Sequence, residues 1–235
     1  MFKKNFLKFT IEVTAIIIGI TVSFWLNQIS IENNNEAQRQ RVLKNLLIEV
    51  DDIDRYCKGR LRLWNQDINI YSSLLDEKLH FNTIEEIAIS KSRVEYNLIY
   101  FRDFDPPINR YKSMINTGDL KHLNSEEIKE ILTRLHNLNL TSVRATVEYE
   151  KNLKGQLISL LTLNYPELFS IGNDNNQNLE DYINYLHKFI KEDERLEANL
   201  IIQMKYFKTR VSSLKLYMLT LQELKDELEA SIELN

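Results

Sequence analysis

The sequence predicts an all-α protein: one N-terminal transmembrane helix followed by an elongated antiparallel helical bundle with long, coiled-coil-like helices. Three observations predict it. Only 5 glycines and 3 prolines punctuate 235 residues, too little turn chemistry for a chain of many short strands. Residues 13–26 (VTAIIIGITVSFWL) carry no charge and no proline, and Lys3, Lys4 and Lys8 precede them. Two long stretches, one after this run and one at the C-terminus, repeat apolar residues at alternating intervals of three and four. The division expected is a membrane anchor over 1–31, with its span at about 6–26, and a helical domain over 32–235.

The anchor comes first. From Phe6 to Trp25 a helix rising about 1.5 Å per residue covers about 30 Å, one hydrocarbon thickness. A cleaved signal peptide needs a small-x-small site, and the bulky end of the run (Val22-Ser23-Phe24-Trp25-Leu26) spoils one. A buried core helix is the other alternative, but it leaves the basic cluster without a role. The three lysines before the span predict a cytoplasmic N-terminus, with the helical domain on the far side of the membrane. Arg39, Arg41 and Lys44 follow closely enough to weaken that bias.

One face of the span is small and polar. Ala15, Gly19, Ser23 and Asn27 recur every four residues, and Glu12 lies three residues before Ala15 on the same side. Small residues at this spacing let two helices approach closely, and polar groups there can bond across the contact. These five residues are the candidate span-packing face of a homo-oligomer. The plainer alternative puts Glu12 at the headgroup level near Lys8, with Gly and Ser there only because spans tolerate them.

Beyond the anchor the chain is acidic. Its 30 Lys and Arg stand against 34 Asp and Glu, a net charge of −4, and the residues through Ile31 are net positive. An acidic helical domain without a basic tail is not designed for nucleic acid. Cys57 is the only cysteine, so no internal disulfide and no cysteine zinc site is expected.

Residues 33–78 read as one long helix. Leu43, Leu46, Val50, Ile53 and Cys57 step by 3, 4, 3 and 4, and Trp64 and Tyr71 continue the row at sevens. Few breakers separate this helix from Trp25, so it is expected to continue out of the membrane as a stalk, with Gly59 as a possible bend. Asn82-Thr83 opens a short helix, Thr83 and Glu86 standing in capping-box register. Residues 94–104 look extended or irregular. Asp105-Pro106-Pro107 reads as an N-cap with prolines in the first turn. The helix it opens ends at Gly118, a candidate structural turn in the left-handed conformation.

Asn124 and Glu127 form a second capping-box register, opening a helix with Ile128, Ile131, Leu132, Leu135, Leu138, Val143, Val147 and Leu153 that Pro166 stops. Residues 172–178 (GNDNNQN) read as a polar loop. It has the Asp and Asn of a calcium loop but neither its glycine nor its closing glutamate. The final helix, about 193–234, has the strongest period: Leu200, Met204, Phe207, Val211, Leu214, Met218 and Leu221, then Leu228 and Ile232. The seam fits a bundle core, with an intermolecular coiled coil as the sharper alternative. The shorter helices are expected between the two long ones.

No catalytic constellation emerges. His80, His122, His136 and His187 are scattered, and there is no phosphate-binding glycine loop and no glycine-flanked serine. Asp51, Asp52 and Asp54, and Glu192, Asp193 and Glu194, read as solvated faces or helix starts. Lys205, Lys208, Arg210 and Lys215, interleaved with Tyr206 and Phe207, read as the wet side of the last helix, with an acidic partner or lipid headgroups as the alternative. No catalytic, cofactor-binding or metal residue is assigned.

Two segments resemble a known family. Glu12, Ile17-Ile18-Gly19-Ile20 and Asn27 resemble the signature of an uncharacterised bacterial family of single-span membrane proteins, domain of unknown function 6090. There a glutamate is followed after seven residues by the glycine of a Val-Ile-Gly-Ile run and eight later by an asparagine. Residues 111–123 (YKSMINTGDLKHL) are similar to its Leu-Ile-Ser-Ser-Gly segment at Gly118, Leu120 and Leu123. Ile29 stands where the family usually has tryptophan, and Asn116 and Thr117 replace its two serines. The match covers some thirty residues. It implies an inner-membrane protein with a helical domain and supplies no activity. Taken together, the expectation is a non-enzymatic, membrane-anchored interaction or scaffold module. Its partners would be the lipid bilayer, a second copy of the chain, or another envelope protein. The alternatives are an extracytoplasmic ligand sensor and a small oligomeric pore using Glu12.

Overall fold

Two helices set the dimensions of the molecule and pack on one another in opposite directions. The computed structural model describes residues 2–174 and 176–233, and the side chains of these except 2–13 and 15. Among the described residues all regular structure is helical. Helix α1 (Phe2–Leu75) runs without interruption for 74 residues, about 110 Å at 1.5 Å per residue. Helix α9 (Glu194–Glu233) returns along its C-terminal half. Their pairing is fixed at both ends and in the middle. Arg39 Nη2 donates to the Ser231 carbonyl at 3.3 Å, Lys225 reaches Asp51 at 2.8 Å, and Tyr71 donates to Gln203 at 3.0 Å.

The shorter helices are α2 (Phe81–Ala88), α3 (Lys91–Ile99), α4 (Asn109–Thr117), α5 (Glu126–Thr133), α6 (Leu140–Asn164), α7 (Pro166–Asn173) and α8 (Leu179–Glu192). They surround the long pair rather than lying between its members, so α1 and α9 form the spine. The reason is the seam itself. The apolar stripe of α9 is met directly by Leu43, Leu46, Val50 and Ile53 of α1, and all these residues are buried.

The bundle holds two apolar cores end to end. The first gathers Val42 to Trp64 of α1, Phe104, Met114, residues of α5 and α6 up to Val147, and Val211 to Leu228 of α9. The second gathers Ile70, Tyr71 and Leu74 of α1, the buried faces of α2, α3, α7 and α8, and Leu196, Leu200 and Phe207 of α9.

Several local expectations need correction. The helix expected at Thr83 begins at Phe81, because Phe81 packs onto the second core and draws the start forward. Residues 94–99 are helical within α3, which Ser90 caps by accepting from the Arg93 N–H; only residues 100–108 are irregular. Asp105 is not a cap. It pairs with Arg144 at 2.7 Å, and α4 starts at Asn109. The first amides of α4 instead donate to the buried Glu49 carboxylate of α1, Tyr111 N–H at 3.0 Å. Helix α5 is capped by Ser125 rather than Asn124. The stretch before Pro166 contains a π-helical turn (Arg134–Asn139) that joins α5 to α6. Its extra residue turns His136 and Asn139 inward and leaves Leu138 exposed. Helices α7 and α8 occupy the unassigned stretches on either side of the polar loop, α7 taking in Gly172 and Asn173 and leaving the non-helical connection at 174 and 176–178. Asn178 and Asp181 supply the capping box of α8.

Gly118 closes α4 at φ 74°, as its position suggested. Ile89 closes α2 at φ 62°, in a region that a β-branched residue enters at a cost.

Among the described residues no helix is long and apolar enough to cross a membrane. The span expected over 6–26 falls partly on side chains outside the described set. Past Leu26 the described part turns polar at Asn27 and Gln28.

Candidate functional site

Where the two cores meet, the packing is broken by a layer of charge. Asp67 of α1, Glu150 and Lys154 of α6, and Gln203 and Arg210 of α9 all lie at seam positions, and all are at most 5% exposed. Helix α3 adds Asn97 and Arg93, and the irregular segment 100–108 adds Arg102. The layer exists because each helix places a polar residue at one level of an otherwise apolar stripe. Asp67 falls between Trp64 and Tyr71, Glu150 and Lys154 between Val147 and Leu157, and Arg210 between Phe207 and Leu214.

The contacts interlock. Arg210 pairs with Glu150, and Lys154 lies 3.5 Å from the same carboxylate. Arg102 bonds Asp67 at 2.8 Å, with Arg93 at 3.6 Å from it. Tyr71 donates to Gln203, and Lys154 donates to the Asn97 carbonyl. Aromatic faces receive the cations. Arg210 stands 4.2 Å above the Trp64 ring and 4.9 Å from Phe207. Arg102 stands 5.1 Å above Tyr96. Such contacts strengthen when desolvated.

The balance is positive. Arg93, Arg102, Lys154 and Arg210 face two carboxylates, Asp67 and Glu150. Burial accordingly pulls the Lys154 ammonium down to about 7 and the Arg210 guanidinium to about 9. Donors are also left over: Nε and Nη2 of Arg210, Nε1 of Trp64 and Nδ2 of Asn97 are buried without a hydrogen-bond partner. Chemically, the arrangement offers positive charge and N–H groups in an aromatic-lined interior.

The nucleophiles elsewhere are held inert. Cys57 is fully buried and its thiol is pushed up to about 12 by desolvation. His136 stacks on Tyr111 at 3.8 Å and burial pulls it down to about 4, so it stays neutral. Among the described residues no group of three or more His, Cys, Asp and Glu could hold a metal ion.

The expected span-packing face lies at the other end of the molecule. Gly19, Ser23 and Asn27 share one side of α1 and, with Ile16, Ile20 and Phe24, line an open groove of about 620 Å³. The Ser23 hydroxyl bonds back to the Gly19 carbonyl at 2.8 Å. Glu12 and Ala15 lie outside the described side chains. Around them α1 is exposed on every side: Ile16, Ile17, Ile18, Ile20, Val22, Phe24, Trp25 and Leu26 are all open. Gly118 stands far from this face in sequence and in the bundle. The turn after it abuts the base of the stalk, where Lys121, His122 and Asn124 face Glu32, Asn35, Glu36 and Arg39 across a cleft of about 480 Å³.

Sequence reasoning placed Arg210 on the wet side of α9 with Lys205, Lys208 and Lys215. The three lysines are exposed, but Arg210 is wholly buried. The signal that could have found it was its register: it falls three residues after Phe207 and four before Leu214, inside the seam. Asp51, Asp52 and Asp54 do lie on a solvated face, pairing with Lys225, Arg55 and Lys58. Compared with known proteins, the chain matches no family model, no curated protein and no solved structure.

Proposed function

We propose that this chain is a membrane-anchored helical module that acts by self-association or by binding another envelope protein, not by catalysis. One observation carries the reading. Between Ile16 and Leu26, α1 stands clear of the bundle with large apolar side chains exposed around its whole circumference. A helix that is apolar on all sides is stable where something apolar surrounds it, and a bilayer does so without a matching protein surface. The lysines before this stretch, the small face of Gly19, Ser23 and Asn27, and the resemblance to domain of unknown function 6090 support the same reading. The N-terminus would be cytoplasmic and the bundle extracytoplasmic.

Fractionation of bacterial cells tests the anchor. The full chain is expected to stay in the membrane pellet through an alkaline carbonate wash, and residues 32–235 alone to be released. A full chain that washes off contradicts anchoring. Disulfide trapping tests self-association: Ser23→Cys is expected to give a crosslinked dimer in membranes and Trp25→Cys, on the opposite side of the helix, to give far less. Equal trapping at both positions, or at neither, contradicts the packing face.

A second reading, a ligand-responsive bundle, is favoured by the cleft between the Gly118 turn and the base of the stalk. There a small polar ligand would touch the helix that leads to the anchor. It predicts that Lys121→Glu alters the response of the stalk without altering membrane association.

A further inference from the structure

The layer of charge between the two cores has two problems that a third participant would solve together. Its positive charge exceeds its negative charge, and its unpartnered groups are all donors. The groups facing the layer are known from each side. Helix α1 presents Arg60, Trp64, Asp67 and Tyr71. Helix α3 presents Arg93 and Asn97, and the following segment Arg102. Helix α6 presents Glu150 and Lys154, and α9 presents Gln203, Phe207 and Arg210. No carboxylate beyond Asp67 and Glu150 appears among them.

Three kinds of relief can be compared. Loss of the Lys154 proton lowers the charge but supplies no acceptor for the Arg210 N–H groups. A water accepts from those groups but leaves the charge. An anion does both. Size narrows the choice. Arg210, Trp64, Tyr71 and Gln203 are wholly enclosed, and the guanidinium is held 4.2 Å from one ring and 4.9 Å from another. Burial this complete leaves no room for an organic ligand, which restricts the missing acceptor to an ion of one or a few atoms. Arg93 and Arg102, less deeply buried than the rest, form the side from which an ion would enter.

We propose that this layer is a binding site for a small inorganic anion of chloride size, held by the free guanidinium edge of Arg210 within the excess charge of Arg93, Arg102 and Lys154. The site is independent of how the chain meets the membrane. It ties the two cores together, so its occupancy is read directly as the stability of the bundle.

The test is a melting series on the full chain in detergent at pH 6, with sodium chloride replacing sodium gluconate at fixed ionic strength. The melting midpoint is expected to rise with chloride and to saturate as a single site would. Glu150→Gln removes a competing negative charge and is expected to tighten the chloride dependence by about tenfold. A chloride dependence that Glu150→Gln leaves unchanged places the ion elsewhere and overturns the assignment. Because that variant could fold poorly, crystals of the unaltered chain grown in bromide give a second readout. An anomalous peak beside Arg210 supports the site. Equal melting in chloride and gluconate, or a bromide structure with no peak in this layer, overturns it.

Discussion

Residues 16–26 and residues 42–74 belong to one unbroken helix, both rich in large apolar side chains, yet their surroundings are opposite. In the second stretch those side chains fall into a stripe, alternating at three and four with polar positions. Leu43, Leu46, Val50, Ile53, Trp64, Tyr71 and Leu74 are all buried against α9 and the shorter helices. In the first stretch they surround the axis, and none is covered. The pattern of apolar residues, not their number, therefore decides whether a helix satisfies itself inside the chain or calls for something outside it. Within the covered stretch there is a second contrast. Its seam is interrupted at one level by Asp67, and there the bundle trades apolar packing for a buried ionic layer.

The interruption offers the largest expected effect. Arg210→Met leaves Glu150 buried with only Lys154 beside it, and should cost about 3–5 kcal/mol of stability. The double variant Arg210→Met, Glu150→Met should recover most of that loss. Urea denaturation of the single and double variants checks it, and a double variant no better than the single one would show that the layer's geometry matters more than its charge balance.

Next in size is the contrast along α1. Leu74→Ala removes a fully enclosed side chain and should cost about 2–5 kcal/mol. Ile17→Ala should change bundle stability by less than about 0.5 kcal/mol, because Ile17 is 58% exposed and touches no core. Comparable losses at the two positions would mean that the N-terminal stretch packs onto the bundle.

The ionic layer also makes stability depend on pH. In the unfolded chain Lys154 keeps its proton up to about 10.5, whereas in the folded chain burial lowers that point to about 7. Between these values the unfolded state holds more protons, so stability rises with pH, by up to about 1.4 kcal/mol per unit from this one group. The cleanest window is pH 7 to 8, below the region where Arg210, lowered to about 9, begins to contribute. Denaturation midpoints in chloride-free buffer should climb across it, and Lys154→Met should flatten the climb. An unchanged slope in that variant would assign the titration to another group.

The smallest effect is local. Ile89 ends α2 in the left-handed region and is 81% exposed, so Ile89→Gly removes backbone strain and loses no packing. A gain of about 0.5–1 kcal/mol is expected, visible as a slightly higher melting temperature.

What could be read from the sequence follows the range of the forces involved. The two long helices, the 3-4 seams and the Gly118 turn were legible because each is set by residues within a turn or two of one another. The cap of α4 was not. Its amides are satisfied by Glu49, which lies 61 residues away from Arg110 in sequence, while the nearby Asp105-Pro106-Pro107 carried a local signal that tertiary packing overrode. The missed start of α2 has the same origin in the pull of Phe81 toward a core. The ionic layer was hidden for a different reason. A charged residue in a seam reads as the solvated edge of a helix until its partners on other helices are known. Arg210, Glu150 and Asp67 become intelligible only as a set. The small face at Gly19, Ser23 and Asn27 was legible as a pattern, and the structure shows it uncovered.

If lipid covers what the bundle leaves open on α1, a cysteine in that stretch is shielded from reagents confined to water. Cys57 is the native thiol and is shielded only while the bundle is folded, so Cys57→Ser comes first and single cysteines are then added at Ile20 and at Asn176, an exposed loop position. Cells with a permeabilised outer envelope are then treated with a membrane-impermeant maleimide. Rapid labelling is expected at Asn176→Cys, with Ile20→Cys protected until the bilayer is dissolved and the chain denatured. Labelling of Ile20→Cys in intact membranes at the rate of Asn176→Cys would contradict it.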